Sequence, residues 1–242
     1  MMKNTAIVLA GGSGSRMKSS VKKQYLLLEG KPLLCYSLEV FQNFDGIDEI
    51  ILVCGKGEAD ICRRLIVEPD GITKVTAIVE GGKERYHSVY EGLKAAQNCR
   101  YVLIHDGARP FVDDEMLARI LQELPKCRAC AAGVMVKDTI KLTAADGYVE
   151  QTLPRERLWS VQTPQAFDYT LIRGAYDRLM EQEKHASGES SVKITDDAMV
   201  AEYIAHVPVK MIEGSYSNIK ITTQEDLLLA QMLLERKNCS RD

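Results

Sequence analysis

No apolar run in this chain is long enough to cross a membrane or to form the core of a secretion signal. The first, AIVLA at residues 6–10, stops at Gly11 and Gly12. The chain reads as a cytoplasmic protein. An excess of positive charge is also missing. With 31 Lys and Arg against 34 Asp and Glu, the net charge is −3. No global field recruits a nucleic-acid polymer, so anion binding has to come from local clusters. An even, regularly spaced set of cysteines is absent too: seven are scattered at 35, 54, 62, 99, 127, 130 and 239. Cys127 and Cys130 form a C-x-x-C, but a structural zinc site needs a second pair or nearby histidines. A redox motif would open a helix, whereas this one enters the apolar ACAAGVMV. Reduced, structural thiols are expected. There is no internal repeat, low-complexity tract or linker. A single domain over residues 1–242 is the economical reading.

What is present is an alternation. TAIVLA (5–10), EIILVCG (49–55), VTAIVEGG (75–82), YVLIHDG (101–107) and ACAAGVMV (129–136) read as buried strands. Residues 31–44, with Pro32 in the first turn, and residues 58–67, 85–97 and 114–124 read as helices. Strand then helix, repeated, implies parallel strands joined by crossover helices. The expected fold class is α/β: a Rossmann-like, mostly parallel sheet flanked by helices. Ligands then bind beyond the carboxyl ends of the strands. From about 137 to 160 the rhythm changes to a β-ribbon with a turn at Ala145-Asp146-Gly147, so a projecting β-arm is expected. Helix 170–184, a mobile polar loop at 184–193 and a helix at 195–204, opened by Thr195 and two aspartates as a plausible cap, follow. Strand-like segments at 206–214 and 218–222 lead to a terminal helix at 223–237, where Thr223 and Asp226 have capping-box spacing.

Two familiar phosphate motifs are missing from LAGGSGSRMKSSVKKQY (9–25). No glycine is followed by Lys and Ser/Thr, and Met17 stands where a dinucleotide fingerprint needs its third glycine. Even so, Gly11, Gly12 and Gly14 follow a strand, and Arg16, Lys18, Lys22 and Lys23 come next. Backbone N–H groups at such a turn suit phosphate, and the cations favour polyphosphate over a plain tight turn. EGGKERYHS (80–88) repeats the arrangement, with Ser88 at a helix start. It reads as a base or ribose site, with helix capping as the simpler alternative. In HDGARPF (105–111), Asp106 leaves an apolar strand and could hold a metal or a ligand hydroxyl. His105 reads as structural, and Arg109 faces phosphate or an acid. Ribbon residues Lys137, Thr139, Arg155 and Arg157 say little alone. Lys220, inside the apolar SNIKIT, needs an anionic partner. No Asp-x-Asp follows Asp106, which argues against a nucleotide-sugar glycosyltransferase.

The ordered set LAGGSGSRM…KKQY, EGGKERYHS, HDGARPF, QTPQAF, ITDDA and NIKIT resembles the 2-C-methyl-D-erythritol 4-phosphate cytidylyltransferases over nearly the whole chain. The ribitol-5-phosphate cytidylyltransferases share several of these motifs, but Leu158-Trp159 and Thr195–Ala198 look more like the isoprenoid enzyme. The resemblance implies CTP and a polyol phosphate as substrates, pyrophosphate release, Mg²⁺, and a homodimer that exchanges its arms. It implies that Arg16 and Lys23 stabilise charge in the transition state, and that Arg155 and Lys220 place the acceptor phosphate. It puts Ala10, Gly11, Gly12, Gly14, Gly81, Gly82, Lys83, Ser88, Asp106, Gly107, Ala108, Arg109, Thr139, Thr163 and Thr195 against the substrates, and leaves the metal ligands unassigned. Gly107 and Lys83 depart from the common pattern, and Lys83 could reach ribose or phosphate. A nucleotide-binding module without turnover is the rival from another class; it would need no acceptor cations.

Overall fold

A computed structural model describes residues 2–12, 23–185 and 193–239. The five apolar runs become β1 (Lys3–Ala10), β4 (Glu49–Cys54), β5 (Val75–Glu80), β6 (Cys99–Asp106) and β7 (Ala129–Met135). With β10 (Trp159–Asp168) and β11 (Lys210–Glu213) they form a seven-stranded sheet in the order β11-β7-β10-β6-β1-β4-β5. All neighbours pair in parallel except β10, which is antiparallel to both β6 and β7. Two short hairpins stand outside: β2 (Leu27–Leu28) with β3 (Lys31–Pro32), and β8 (Lys141–Thr143) with β9 (Val149–Thr152) in the arm.

The strands are apolar at nearly every position because helices cover both faces. From β1, Ala6, Val8 and Ala10 pack with Leu38, Phe41 and Ile120 of α1 (Leu33–Asn43) and α4 (Asp114–Cys127). Ile7 points the other way, to Val89, Leu93, Tyr176 and Val200 of α3 (Arg85–Ala95), α5 (Tyr169–His185) and α6 (Asp197–Tyr203). A short α2 (Ala59–Cys62) follows β4. α7 (Gln224–Cys239) packs Ala230 and Leu234 on Leu28, Leu33 and Phe111. Its start holds the expected reciprocal pair: Asp226 Oδ2 accepts from the Thr223 backbone at 2.8 Å, and Thr223 Oγ1 accepts from Asp226 N at 3.3 Å.

Several expectations need correction. Pro32 lies in β3 and precedes α1 rather than sitting in its first turn. The arm ends sooner than 160, because Trp159 already belongs to β10 and pairs with Met135 of β7. Of the three residues expected to cap α6, Asp196 does so, its Oδ1 accepting from Met199 N at 2.9 Å. A carboxylate accepts this bond better than a hydroxyl. Of 206–214 only Lys210–Glu213 is strand, and 218–222 is not strand at all. That last segment is pinned by single bonds instead, Ile221 N to Ala108 O at 2.9 Å among them. Cys127 closes α4, Cys130 is buried in β7, and none of the seven cysteines forms a disulfide. Most of the proposed mobile loop at 184–193 lies outside the described residues.

Candidate active site

The turns after β1 and β5 both press on the end of β4 at one sheet edge. A Cβ on Gly11 would stand 3.3 Å from Cys54 O, and one on Gly81 only 2.5 Å from Ser88 Oγ. Glycine lets these backbones approach, with Gly81 N donating to Cys54 O at 2.8 Å and Gly82 N to Ser88 Oγ at 3.2 Å, and a space is left between the two turns. That space is a cavity of about 350 Å³. Ala10, Gly11 and Gly12 line it from the first turn, Gly82, Lys83, Glu84, Arg85 and Ser88 from the second, and Asp106 and Ala108 from the end of β6. Lys220 and Gln24 complete the wall. Ser88 shapes its own turn, its Oγ accepting from Gly82 N at 3.2 Å, while Glu84 rather than Ser88 caps α3.

The charges at the cavity floor form a chain. Asp106 Oδ1 accepts from Arg85 Nε at 3.0 Å and Oδ2 from Lys220 Nζ at 2.6 Å. The same Arg85 gives Nη1 and Nη2 to Asp197 Oδ1 and Oδ2 at 2.9 and 2.8 Å. Tyr176 adds its hydroxyl to Asp197 Oδ1 at 2.6 Å, and both Tyr176 and Asp197 are wholly buried. Burial by itself would raise the Asp106 carboxyl. The Arg85 and Lys220 cations outweigh that and hold it well below the usual carboxylate range. Burial pushes the Tyr176 hydroxyl up, and the Asp197 charge pushes it further, so it stays a donor. Two acidic and two basic side chains thus alternate along the floor, and Lys220 stands at the cavity wall.

Asp106 is also placed from behind. Its N–H donates to Thr163 Oγ1 at 3.0 Å. Thr163 can then give its own proton to His105 Nδ1 at 3.1 Å, which leaves His105 Nε2–H to donate to Arg109 O at 3.0 Å. This fixes the histidine as neutral, and its complete burial lowers its pKa from 6.5 to about 4. The consequence is measurable. As pH falls from 6.5 towards 4, the unfolded chain gains a proton that the native state refuses. Stability is therefore expected to drop by up to ~1.4 kcal/mol per pH unit, about 3 kcal/mol in all. Urea melts of His105→Gln, which cannot titrate, should show a flatter slope across that window. An unchanged slope would exonerate His105.

Lys220 reaches the cavity because its irregular segment is gripped. Asn218 Nδ2 donates to Thr163 O at 2.9 Å, and Gln162 Nε2 donates to Ser215 O at 2.8 Å. Arg109 Nη1 donates to Asn218 O at 2.8 Å, so Arg109 holds backbone rather than facing phosphate or an acid directly. Gly107 lies behind the cavity, where a Cβ would meet Leu34 Cδ1 at 2.6 Å and Leu9 O at 3.0 Å. Within one chain the structure therefore gathers Ala10, Gly11, Gly12, Gly82, Lys83, Ser88, Asp106, Ala108 and Lys220, with Gly81 adjoining. It sets Gly107, Arg109 and Thr163 behind them. Thr139 and Arg155 stand exposed on the arm, Arg155 Nη1 donating to Lys137 O at 2.8 Å, and Thr195 is exposed before α6. Gly14, Arg16 and the side chain of Lys23 lie outside the described residues. Sequence reasoning missed Arg85, Asp197, Tyr176 and Gln24. It also missed Gln165, whose amide joins Asp196 Oδ2 at 3.0 Å to Ala198 N at 2.7 Å.

Known proteins match this arrangement over its full extent. The sequence profile described as 2-C-methyl-D-erythritol 4-phosphate cytidylyltransferase matches residues 4–236. Proteins of that name from Lachnoclostridium phytofermentans and Clostridium kluyveri are 46% and 45% identical to this chain. The alignments cover 97% of this chain in both cases, and 97% and 98% of those proteins. A crystal structure of 4-diphosphocytidyl-2C-methyl-D-erythritol synthase from Anaerococcus prevotii superposes with a TM-score of 0.82 at 36% identity, covering 96% of each chain. The chain belongs to the 2-C-methyl-D-erythritol 4-phosphate cytidylyltransferase family.

Proposed function

We infer that this protein transfers the cytidylyl group of CTP to the phosphate of 2-C-methyl-D-erythritol 4-phosphate. An acceptor phosphate oxygen attacks the α-phosphorus of CTP. The bond from that phosphorus to the bridging oxygen breaks, and pyrophosphate leaves. The observation that carries this reading is the cavity in which two glycine turns, the β6 carboxylate and Lys220 converge from four separate segments. No protein nucleophile is needed. Two phosphate-bearing anions repel, so positioning and charge neutralisation do the chemistry.

The roles follow from placement. Backbone N–H groups at Gly11 and Gly12 face the triphosphate, with Gly14, Arg16 and Lys23 assigned to it by the family pattern. Gly81, Gly82, Lys83, Ser88, Asp106 and Ala108 frame cytosine and ribose. Lys220 receives the acceptor phosphate. Mg²⁺ bound with the nucleotide would supply charge neutralisation at its phosphates. Among the described residues no three His, Cys, Asp or Glu side chains gather to cage a metal, and both Asp106 oxygens are paired. An ion carried by phosphate oxygens and water suits that donor set. No described helix is long and apolar enough to cross a membrane, and we place the reaction in the cytoplasm.

Arg155 belongs to the same proposal through a second copy of the chain: the arm of one subunit would complete the cavity of its partner. Subunit mixing tests this. Arg155→Ala and Lys220→Ala homodimers should each be crippled. Their mixture should regain about a quarter of wild-type activity, since half the dimers would carry one intact site. No recovery would place Arg155 in its own subunit's site or in none. The reaction itself is tested by pyrophosphate release from CTP with Mg²⁺ and methylerythritol phosphate, with ribitol 5-phosphate as the control acceptor. Release with ribitol 5-phosphate alone would overturn the assignment.

A further inference from the structure

Gln24 sits in a one-turn 3-10 helix, Lys23–Tyr25, at the rim of the glycine turn. The turn is anchored by its next residue. Tyr25 hydroxyl lies 3.4 Å from Glu58 Oε2 and 3.1 Å from Cys62 Sγ, beneath the end of β4. Gln24 is 2% exposed, and neither its Nε2 nor its Oε1 has a hydrogen-bond partner among the described residues. Few buried amides in native proteins are left so, because a donor and an acceptor stripped of water cost stability that a hydrophobic side chain of equal volume would not. The fold therefore gains nothing from an amide here. Yet the residue lines the cavity together with Gly11, Gly12, Asp106 and Lys220.

We propose that Gln24 is a substrate-binding residue, its Nε2 donating to a phosphoryl oxygen in the cavity and its Oε1 accepting from a substrate hydroxyl. The proposal rests on the cytidylyl-transfer reading above. Arg85, Lys83 and Lys220 draw an anion into the same space, and the ligand supplies the partners that the free protein withholds. The phosphoryl oxygen has two possible sources, the CTP triphosphate and the acceptor phosphate, and separate titrations tell them apart.

Gln24→Met keeps length and volume but removes both polar atoms. Gln24→Glu keeps the shape and puts a negative oxygen where the donor was. The ligand-free melting temperature of Gln24→Met should equal or exceed that of wild type. Binding should weaken by roughly tenfold or more, as expected when a hydrogen bond to a charged group is lost. Gln24→Glu should bind more weakly still. A rise in the CTP Kd, measured by calorimetry, assigns the contact to the nucleotide. An unchanged CTP Kd with a raised acceptor KM assigns it to the acceptor phosphate. Either a lower ligand-free melting temperature in Gln24→Met or wild-type Kd and KM in both variants overturns the proposal. Wild-type protein that binds CTP but releases no pyrophosphate would sink the reading of the reaction instead, and the CTP titration would still decide Gln24.

Discussion

Lys220→Ala is expected to lower turnover by roughly a hundred- to a thousandfold while the fold survives. Losing one preorganised charge donor at a developing anion typically costs ~3–4 kcal/mol in barrier, which is that factor in rate. We propose Lys220 as such a donor. Its Nζ stands 2.6 Å from Asp106, and its backbone is fixed by Ile221 N to Ala108 O and by the gripped Asn218. Its side chain is thereby positioned at the cavity. The effect should fall on turnover, because the acceptor's negative charge concentrates as it approaches the α-phosphorus. Lys220→Arg, which keeps the charge but moves it outward, should recover part of the loss. Steady-state pyrophosphate release with both substrates saturating measures the effect. Wild-type turnover in Lys220→Ala would remove the residue from the mechanism, and a collapsed melting temperature would make its role structural.

The second large effect is on stability. Arg85→Met strips the guanidinium from Asp197, which has no exposure to water, and among the described residues leaves only the Tyr176 hydroxyl for compensation. Breaking a buried pair from one side typically costs ~3–5 kcal/mol. The Arg85 side chain is 28% exposed, so the lower end of that range applies, about 3 kcal/mol. Arg85→Met with Asp197→Asn should recover most of the stability, since no uncompensated charge then remains inside. Turnover should stay low in the double variant, because Asp106 has still lost the Nε partner that orients it. Urea denaturation and pyrophosphate release on the three proteins separate the two roles. A double variant with full activity would reduce Arg85 to a structural clamp.

The contrast between these two residues shows what a sequence exposes. Lys220 was conspicuous because a lysine inside an apolar run demands a partner. Arg85 stood in the quoted EGGKERYHS and passed unremarked, because its partner Asp197 lies 112 residues away and a linear pattern displays residue types, not pairs. Gln24 was hidden for a similar reason, since an amide beside a lysine and a tyrosine looks solvated until burial is seen. The strands that came through most clearly, β1, β4 and β6, are covered on both faces and carry uninterrupted apolar runs. β10 was legible only as a motif, because Gln162, Thr163 and Gln165 place buried polar groups inside a strand. Those amides and that hydroxyl hold neighbouring segments, which is why the pattern broke the rule for a core strand. The Thr223–Asp226 cap was readable because it is local. Residues 218–222 were misread because their apolar character serves packing, not pairing.

Where β7 departs and β10 returns, Trp159 lies directly opposite Met135, and Val136 N donates to Leu158 O at 3.0 Å. Everything from residue 137 to 157 leaves and re-enters through a doorway no wider than the gap between two strands. Lengthening, trimming or rewriting that excursion leaves the register of all seven strands alone. Evolution can thus revise what the appendage grasps while the catalytic body keeps its blueprint.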